Sequence, residues 1–149
     1  MLMKDRFKEL LPELARIKRV AEEGESLYWE IYDEGGSLIG YGAYADVPEM
    51  PPDIEDVEEF DKYAVTAIVS TDYKVQAIDI GEHPDGPETL WSEDIIAGPY
   101  ANQYVGMSKD DIKLAPEGKI DSITDATLSA RMVTDAIRSK VEIIMERTS

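Results

Sequence analysis

Residues 63–82 constrain the fold more than any other stretch. Tyr63-Ala64-Val65-Thr66-Ala67-Ile68-Val69-Ser70-Thr71 is uncharged and rich in β-branched residues, which predicts a strand. Asp72-Tyr73 turns the chain and Lys74 to Glu82 returns. Ile78 and Ile80 alternate with Ala77 and Asp79 and mark the buried face of that second strand. A similar pair precedes it. Ser26 to Tyr32 is an aromatic strand pattern, Asp33-Glu34-Gly35-Gly36 a turn, and Ser37 to Ala45 the returning strand. Gly40 and Gly42 in that strand predict a bulge or a close backbone approach. They lack the spacing and helix context of a dinucleotide-binding loop.

Two hairpins need a covering layer, and both ends of the chain offer one. Met132, Val133, Ala136, Ile137, Val141 and Ile144 recur at three and four residue steps, one face of a long C-terminal helix. At the other end, Phe7, Leu10, Leu11, Leu14, Ile17 and Ala21 have helical spacing within residues 4–23, interrupted by Pro12. A short first turn, then a helix with Pro12 at its first position and Gly24 at its stop, is the expected outcome. A short helix from Pro99 to Tyr104 should end at Gly106. The expected fold is therefore α+β. Antiparallel hairpins form a sheet, with an N-terminal helix and a long C-terminal helix packed on it. Residues 1–149 are expected to form one domain, with an N-terminal helical segment over 1–24 and an acidic, proline-rich surface loop over 46–61.

Composition narrows function by exclusion. With 149 residues and 43% hydrophobic content, the chain is long and apolar enough to bury a core. It contains no cysteine, hence no thiolate nucleophile, disulfide or iron–sulfur cluster. A formal net charge of −17 argues against nucleic acid and anionic membrane surfaces as direct partners. No run is long and apolar enough to span a bilayer, and the N-terminus has no signal-peptide core. His83 is the one histidine. No nucleophile pattern or metal-binding spacing accompanies it, so a structural hydrogen bond at a strand end is the expected role. Asp53, Glu55 and Asp56 lack the ligand order and glycine of a calcium loop.

The stretch that carries chemistry is Asp121-Ser122-Ile123-Thr124-Asp125-Ala126-Thr127-Leu128-Ser129. Lys119-Ile120 is an extended approach to it, and the long helix opens from it. Thr124 or Asp125 is a good N-cap, which puts Thr127 in or near the first helical turn. A hydroxyl there lies beside unpaired backbone N–H groups at the positive end of the helix dipole, a setting that favours a phosphate. Arg131, four residues on, lies on the same helical face and would add a charged donor.

Asp-x-x-Thr-x-Ala-Thr at the mouth of a C-terminal helix resembles the flavinylation motif of the FMN-binding domain family. That family includes the G subunit of Rnf electron-transport complexes and the C subunit of sodium-pumping NADH:quinone oxidoreductase. Its usual form is Asp-x-x-Ser/Thr-Gly-Ala-Thr-x-Ser/Thr, and the Thr of Gly-Ala-Thr carries FMN through a phosphodiester bond. The resemblance assigns that role to Thr127, with Asp121, Thr124, Ala126 and Ser129 matching and Leu128 at the variable position. Asp125 stands where the family usually has Gly. Its carboxylate would either repel the phosphate or cap the helix with its side chain turned away. Other stretches are similar more loosely. Relatives open with a leucine-proline phrase like Phe7-Lys8-Glu9-Leu10-Leu11-Pro12, and carry Gln-Phe-x-Gly where this chain has Gln103-Tyr104-Val105-Gly106. Their His-x-Glu-Thr-Pro-Gly-Leu-Gly loop approaches the flavin ring. Here His83 and Glu88-Thr89 remain, with extra residues between them and Leu90-Trp91 in place of Pro-Gly. Trp91 would either stack on the isoalloxazine or anchor the loop to the sheet.

The resemblance implies a carrier whose FMN is bound by Thr127, Asp121, Thr124, Asp125, Ala126, Leu128, Ser129, Arg131, Glu88, Thr89, Leu90 and Trp91. It also implies a separate flavin transferase, redox partner proteins in a membrane complex, and the extracytoplasmic side of a membrane, with the cytoplasm as the alternative. In those complexes a transmembrane helix precedes the domain. Two other readings stay open: a noncovalent FMN-binding protein, and an adaptor domain that has lost the flavin.

Overall fold

The structure, a computed structural model, describes residues 3–47, 63–82, 98–113, 118–120 and 127–148. Five strands form one antiparallel meander in chain order. They are β1 (Arg16–Glu22), β2 (Glu25–Tyr32), β3 (Leu38–Val47), β4 (Tyr63–Val69) and β5 (Val75–Glu82). Helix α1 (Met3–Leu10) packs on one face, and helix α3 (Thr127–Thr148) packs on the other beside the short helix α2 (Gly98–Asn102). The expected α+β fold, with its two hairpins and two covering helices, is what forms. The acidic loop after Val47 lies outside the described residues. None of the described helices is long and apolar enough to cross a membrane.

Strand β4 shows why its sequence is apolar without alternation. All seven of its residues are buried, because both faces are covered. Val65 and Val69 join the core under α3, and Ile68 joins Phe7, Leu11, Leu14 and Ile31 under α1. On β5, Ile80 is buried and Ile78 is partly buried in the α3 core. Helix α3 presents Ala130, Val133, Ile137, Val141 and Ile144, each no more than 3% exposed. It crosses a floor of Ala43, Ala45, Val65 and Ala67, and these small and branched side chains let a helix lie close to the sheet.

The N-terminal segment differs from its expectation. The helix stops at Leu10, and residues 16–22 form strand β1 where a helix was expected through residue 23. Pro12 has no N–H to donate and its ring would clash with the carbonyl one turn back, so the helix ends before it. Leu11 and Leu14 are buried in the turn that follows. Leu14, Ile17 and Ala21 carry helical spacing, but Ile17 packs with the α1 core and Val20 with the α3 core. Residues three apart on a strand point to opposite faces, so a chain pinned between two cores satisfies both only as a strand. Gly24 does not stop a helix. With Glu23 it makes a two-residue hairpin loop, at φ of 52° and 85°, the left-handed pair that such loops require.

The glycines of β3 behave as expected. A Cβ on Gly42 would sit 2.5 Å from the Phe7 ring, and one on Gly40 would sit 3.1 Å from the Val69 carbonyl oxygen. The β2–β3 register also shifts beside Tyr32. The chain thus leaves room at Gly42 for the anchor of α1.

A buried hydroxyl chain fastens α2 to α3. Thr134 donates to the Ala130 carbonyl at 2.6 Å. Its single proton is then committed, so Tyr104 donates to Thr134 Oγ1 at 2.8 Å and Tyr100 to the Tyr104 hydroxyl at 2.7 Å. Tyr104 lies in the segment that resembles Gln-Phe-x-Gly, and its role is packing, with Gly106 ending the turn at φ 85°. Burial pushes the phenol pKa of both tyrosines up from 10. The folded state therefore favours the neutral phenols. Their contribution to stability is complete below pH 10 and is lost as pH rises above it, where the unfolded chain ionises. Tyr104→Phe is expected to lower the unfolding free energy by about 1–2 kcal/mol at neutral pH. It should also flatten the fall in stability above pH 10, and urea titrations at several pH values would show both.

Candidate cofactor site

The motif segment is delivered by a pinned loop. Asp111 accepts from the Ser108 backbone N–H at 3.4 Å and from its hydroxyl at 3.2 Å, and pairs with Lys119 at 3.3 Å. The Ser108 N–H and, after it, Lys119 hold the Asp111 carboxyl below its ordinary value of 3.8. The anchor is thus at full strength above that pH and is lost as pH falls below it. Ile120 is fully buried, and its N–H donates to the Lys113 carbonyl at 3.0 Å. Gly118 is required here, because a Cβ would meet the Lys113 carbonyl oxygen at 2.3 Å. From α3, Arg138 donates to the Ile112 carbonyl at 3.4 Å and to Asp135 at 2.9 Å. The expected extended approach is met only at Ile120, a single bridge residue, because Lys119 before it lies in a bend.

Helix α3 starts at Thr127, as its first residue. The first four N–H groups of a helix have no partner within it, and α3 runs for 22 residues behind them, long enough to develop the terminal partial charge. Its first turn contains no acidic residue, although the chain carries 32 of them. Arg131 is exposed one turn on. It pairs with no carboxylate among the described residues, whereas Arg138 and Arg147 further along α3 are both in ion pairs. Among the described residues, the first turn of α3 thus combines N–H groups without partners inside the helix, no acidic side chain and a guanidinium one turn on, a set that suits a phosphate. The Tyr100–Tyr104–Thr134 chain reaches the carbonyl of Ala130 and so braces this end of the helix.

Of the other residues expected at the site, Asp121, Thr124, Asp125 and Ala126, and Glu88, Thr89, Leu90 and Trp91, lie outside the described residues, as does His83. Leu128 and Ser129 are in the first turn of α3. The bracing groups Asp111, Gly118 and Thr134 are not apparent from sequence. Ser108-Lys109-Asp110-Asp111 does have the spacing of a local side-chain cap, which is a usable signal for Asp111.

A family model described as "FMN-binding domain" matches residues 61–142. That span holds β4, β5, α2, the motif segment and most of α3, more than half of the chain. The chain therefore belongs to the FMN-binding domain family, and its cofactor is FMN. No curated protein matches the chain.

Proposed function

We propose that Thr127 carries FMN through a phosphodiester bond and that the domain relays electrons to partner proteins of a membrane-associated redox system. In this it would act like the Rnf G subunit and the C subunit of sodium-pumping NADH:quinone oxidoreductase. The observation that carries the proposal is the start of α3 at Thr127, with an acid-free first turn, inside the family-matched span. Bound FMN supplies the redox chemistry. The protein supplies the helix-start amides, which hold the phosphate, and Arg131, which offsets its charge against a chain of net −17. A covalent tether keeps the cofactor in place however its noncovalent affinity changes with redox state. A threonine hydroxyl is a poor nucleophile without a base, and none stands beside it in sequence, so attachment needs a separate flavin transferase.

Asp125 favours a second reading, FMN held without the covalent bond. Expression with and without a flavin transferase, followed by a denaturing gel viewed for flavin fluorescence, separates the two. A fluorescent band that depends on the transferase is expected. Flavin bound natively but released in the gel would overturn covalent attachment. Asp125→Gly should raise the attached fraction about two- to fivefold by removing a like charge from the helix mouth. An unchanged fraction would mean that this carboxylate caps the helix and faces away.

A further inference from the structure

The far end of α3 holds a second candidate site, about 30 Å from Thr127 at the rise of an α-helix. There the last turn of the helix leaves an open cleft of about 630 Å³ over β1, β2 and β3. Small-ligand sites fall in this size range. Its lining includes Lys18, Tyr28, Glu30, Tyr41, Arg147 and Thr148.

Tyr28 and Tyr41 form an aromatic floor. They are 3% and 5% exposed and meet edge to face at 5.9 Å, and Tyr41 stacks on Tyr73 at 6.4 Å. Neither hydroxyl has a hydrogen-bond partner among the described residues. No buried side-chain oxygen or nitrogen among them goes unsatisfied either. The two phenol oxygens therefore reach the solvent of the cleft they line. Thr148 is satisfied by the Ile144 carbonyl at 2.7 Å and the Tyr73 hydroxyl at 2.8 Å.

The charges around this floor favour an anion. Lys18 is exposed on β1. Arg147 pairs with Glu22 and still lines the cleft, 42% exposed. Glu30 opposes them, with its carboxylate engaged by the Tyr32 hydroxyl at 2.9 Å. Arg19, at the cleft edge, is committed to Ser26 Oγ and the Gly24 carbonyl. Two phenol donors, an ammonium and a guanidinium lining one cleft with two aromatic rings complement an oxyanion on an apolar body. The nearby carboxylate disfavours ligands with several charged groups.

We propose that this cleft binds a small organic oxyanion, a carboxylate or a phosphate monoester, through Tyr28, Tyr41, Lys18 and Arg147. The site is independent of flavin attachment at the other end of the helix.

The test is an NMR titration of the full chain at low salt with phenyl phosphate, with benzoate, and with benzyl alcohol as the uncharged control. Saturable shifts of amides in β1, β2 and the last turn of α3, from either anion and not from the alcohol, are expected. The tighter anion identifies the class of natural ligand. The Tyr28→Phe/Tyr41→Phe variant keeps both rings and removes only the hydroxyls, and it should bind about tenfold or more weakly. Lys18→Gln, at an exposed strand position, should bind severalfold more weakly. Shifts that do not saturate, an equal response to the alcohol, or an unchanged affinity in the double tyrosine variant would overturn the proposal.

Discussion

Thr127→Ala, expressed with a flavin transferase, is expected to yield protein with no flavin that survives denaturation. Thr127→Ser should keep it. Attachment depends on one oxygen atom. Alanine leaves the helix start, its amides and Arg131 in place and removes the hydroxyl that bears the phosphate together with one methyl. A serine hydroxyl restores that group and lacks one methyl. Alanine is also the best helix former, so the variant should fold with little change in its unfolding curve, and loss of fluorescence will report attachment rather than misfolding. FMN added to the alanine variant should bind reversibly and elute on denaturation, because the tether adds effective concentration rather than contacts. Covalent flavin persisting in the alanine variant would place the bond on another residue.

Phe7→Ala should have the largest effect on the fold, lowering the unfolding free energy by about 3–5 kcal/mol. Phe7 is fully buried among Leu11, Leu14, Ile31 and Ile68, with its ring 5.4 Å from that of Trp29. It is the one fully buried side chain of α1 and the main attachment of that helix to the sheet. Gly42→Ala attacks the same contact from the other side, since its new Cβ would overlap the ring. It should cost about 1–3 kcal/mol. The two changes share one space, so the double variant should lose less than the sum of the single losses. Guanidinium titrations of the four proteins would show this, and strictly additive losses would contradict the contact. Flavin attachment should survive Gly42→Ala, because α1 packs on the face of the sheet opposite α3.

What the sequence revealed and what it hid divide along physical lines. Strands β2 to β5 and helix α3 were legible because each has a strong local pattern: aromatic and β-branched runs between turn residues, or a long apolar stripe. Strand β1 was not, because Leu14, Ile17 and Ala21 satisfy a helical period locally. Only the presence of two cores, one on each side, selects the extended form. Gly42 announced a close approach without naming its partner, and Phe7 lies in another element. At the site, the placement of Thr127 in the first turn of α3 was readable, because the apolar stripe that follows it and the family pattern are both local. The bracing was not. The Tyr104–Thr134 bond joins residues 30 positions apart, and the fit of Gly118 against Lys113 depends on how a loop closes. Neither leaves a periodic trace. The β1–α3 cleft has the same character, since Lys18 and Arg147 meet there only after the sheet and the terminal helix have packed.

The chemical location of the flavin is tested most directly by mass spectrometry of protein made with a flavin transferase. Trypsin cuts after Lys119 and Arg131 and releases residues 120–131 with the whole motif. Covalent attachment predicts that this peptide is heavier by one FMN less one water, and that fragmentation assigns the added mass to Thr127. An unmodified peptide from protein that holds FMN before denaturation, or an added mass that fragmentation assigns to Ser122, Thr124 or Ser129, would contradict it.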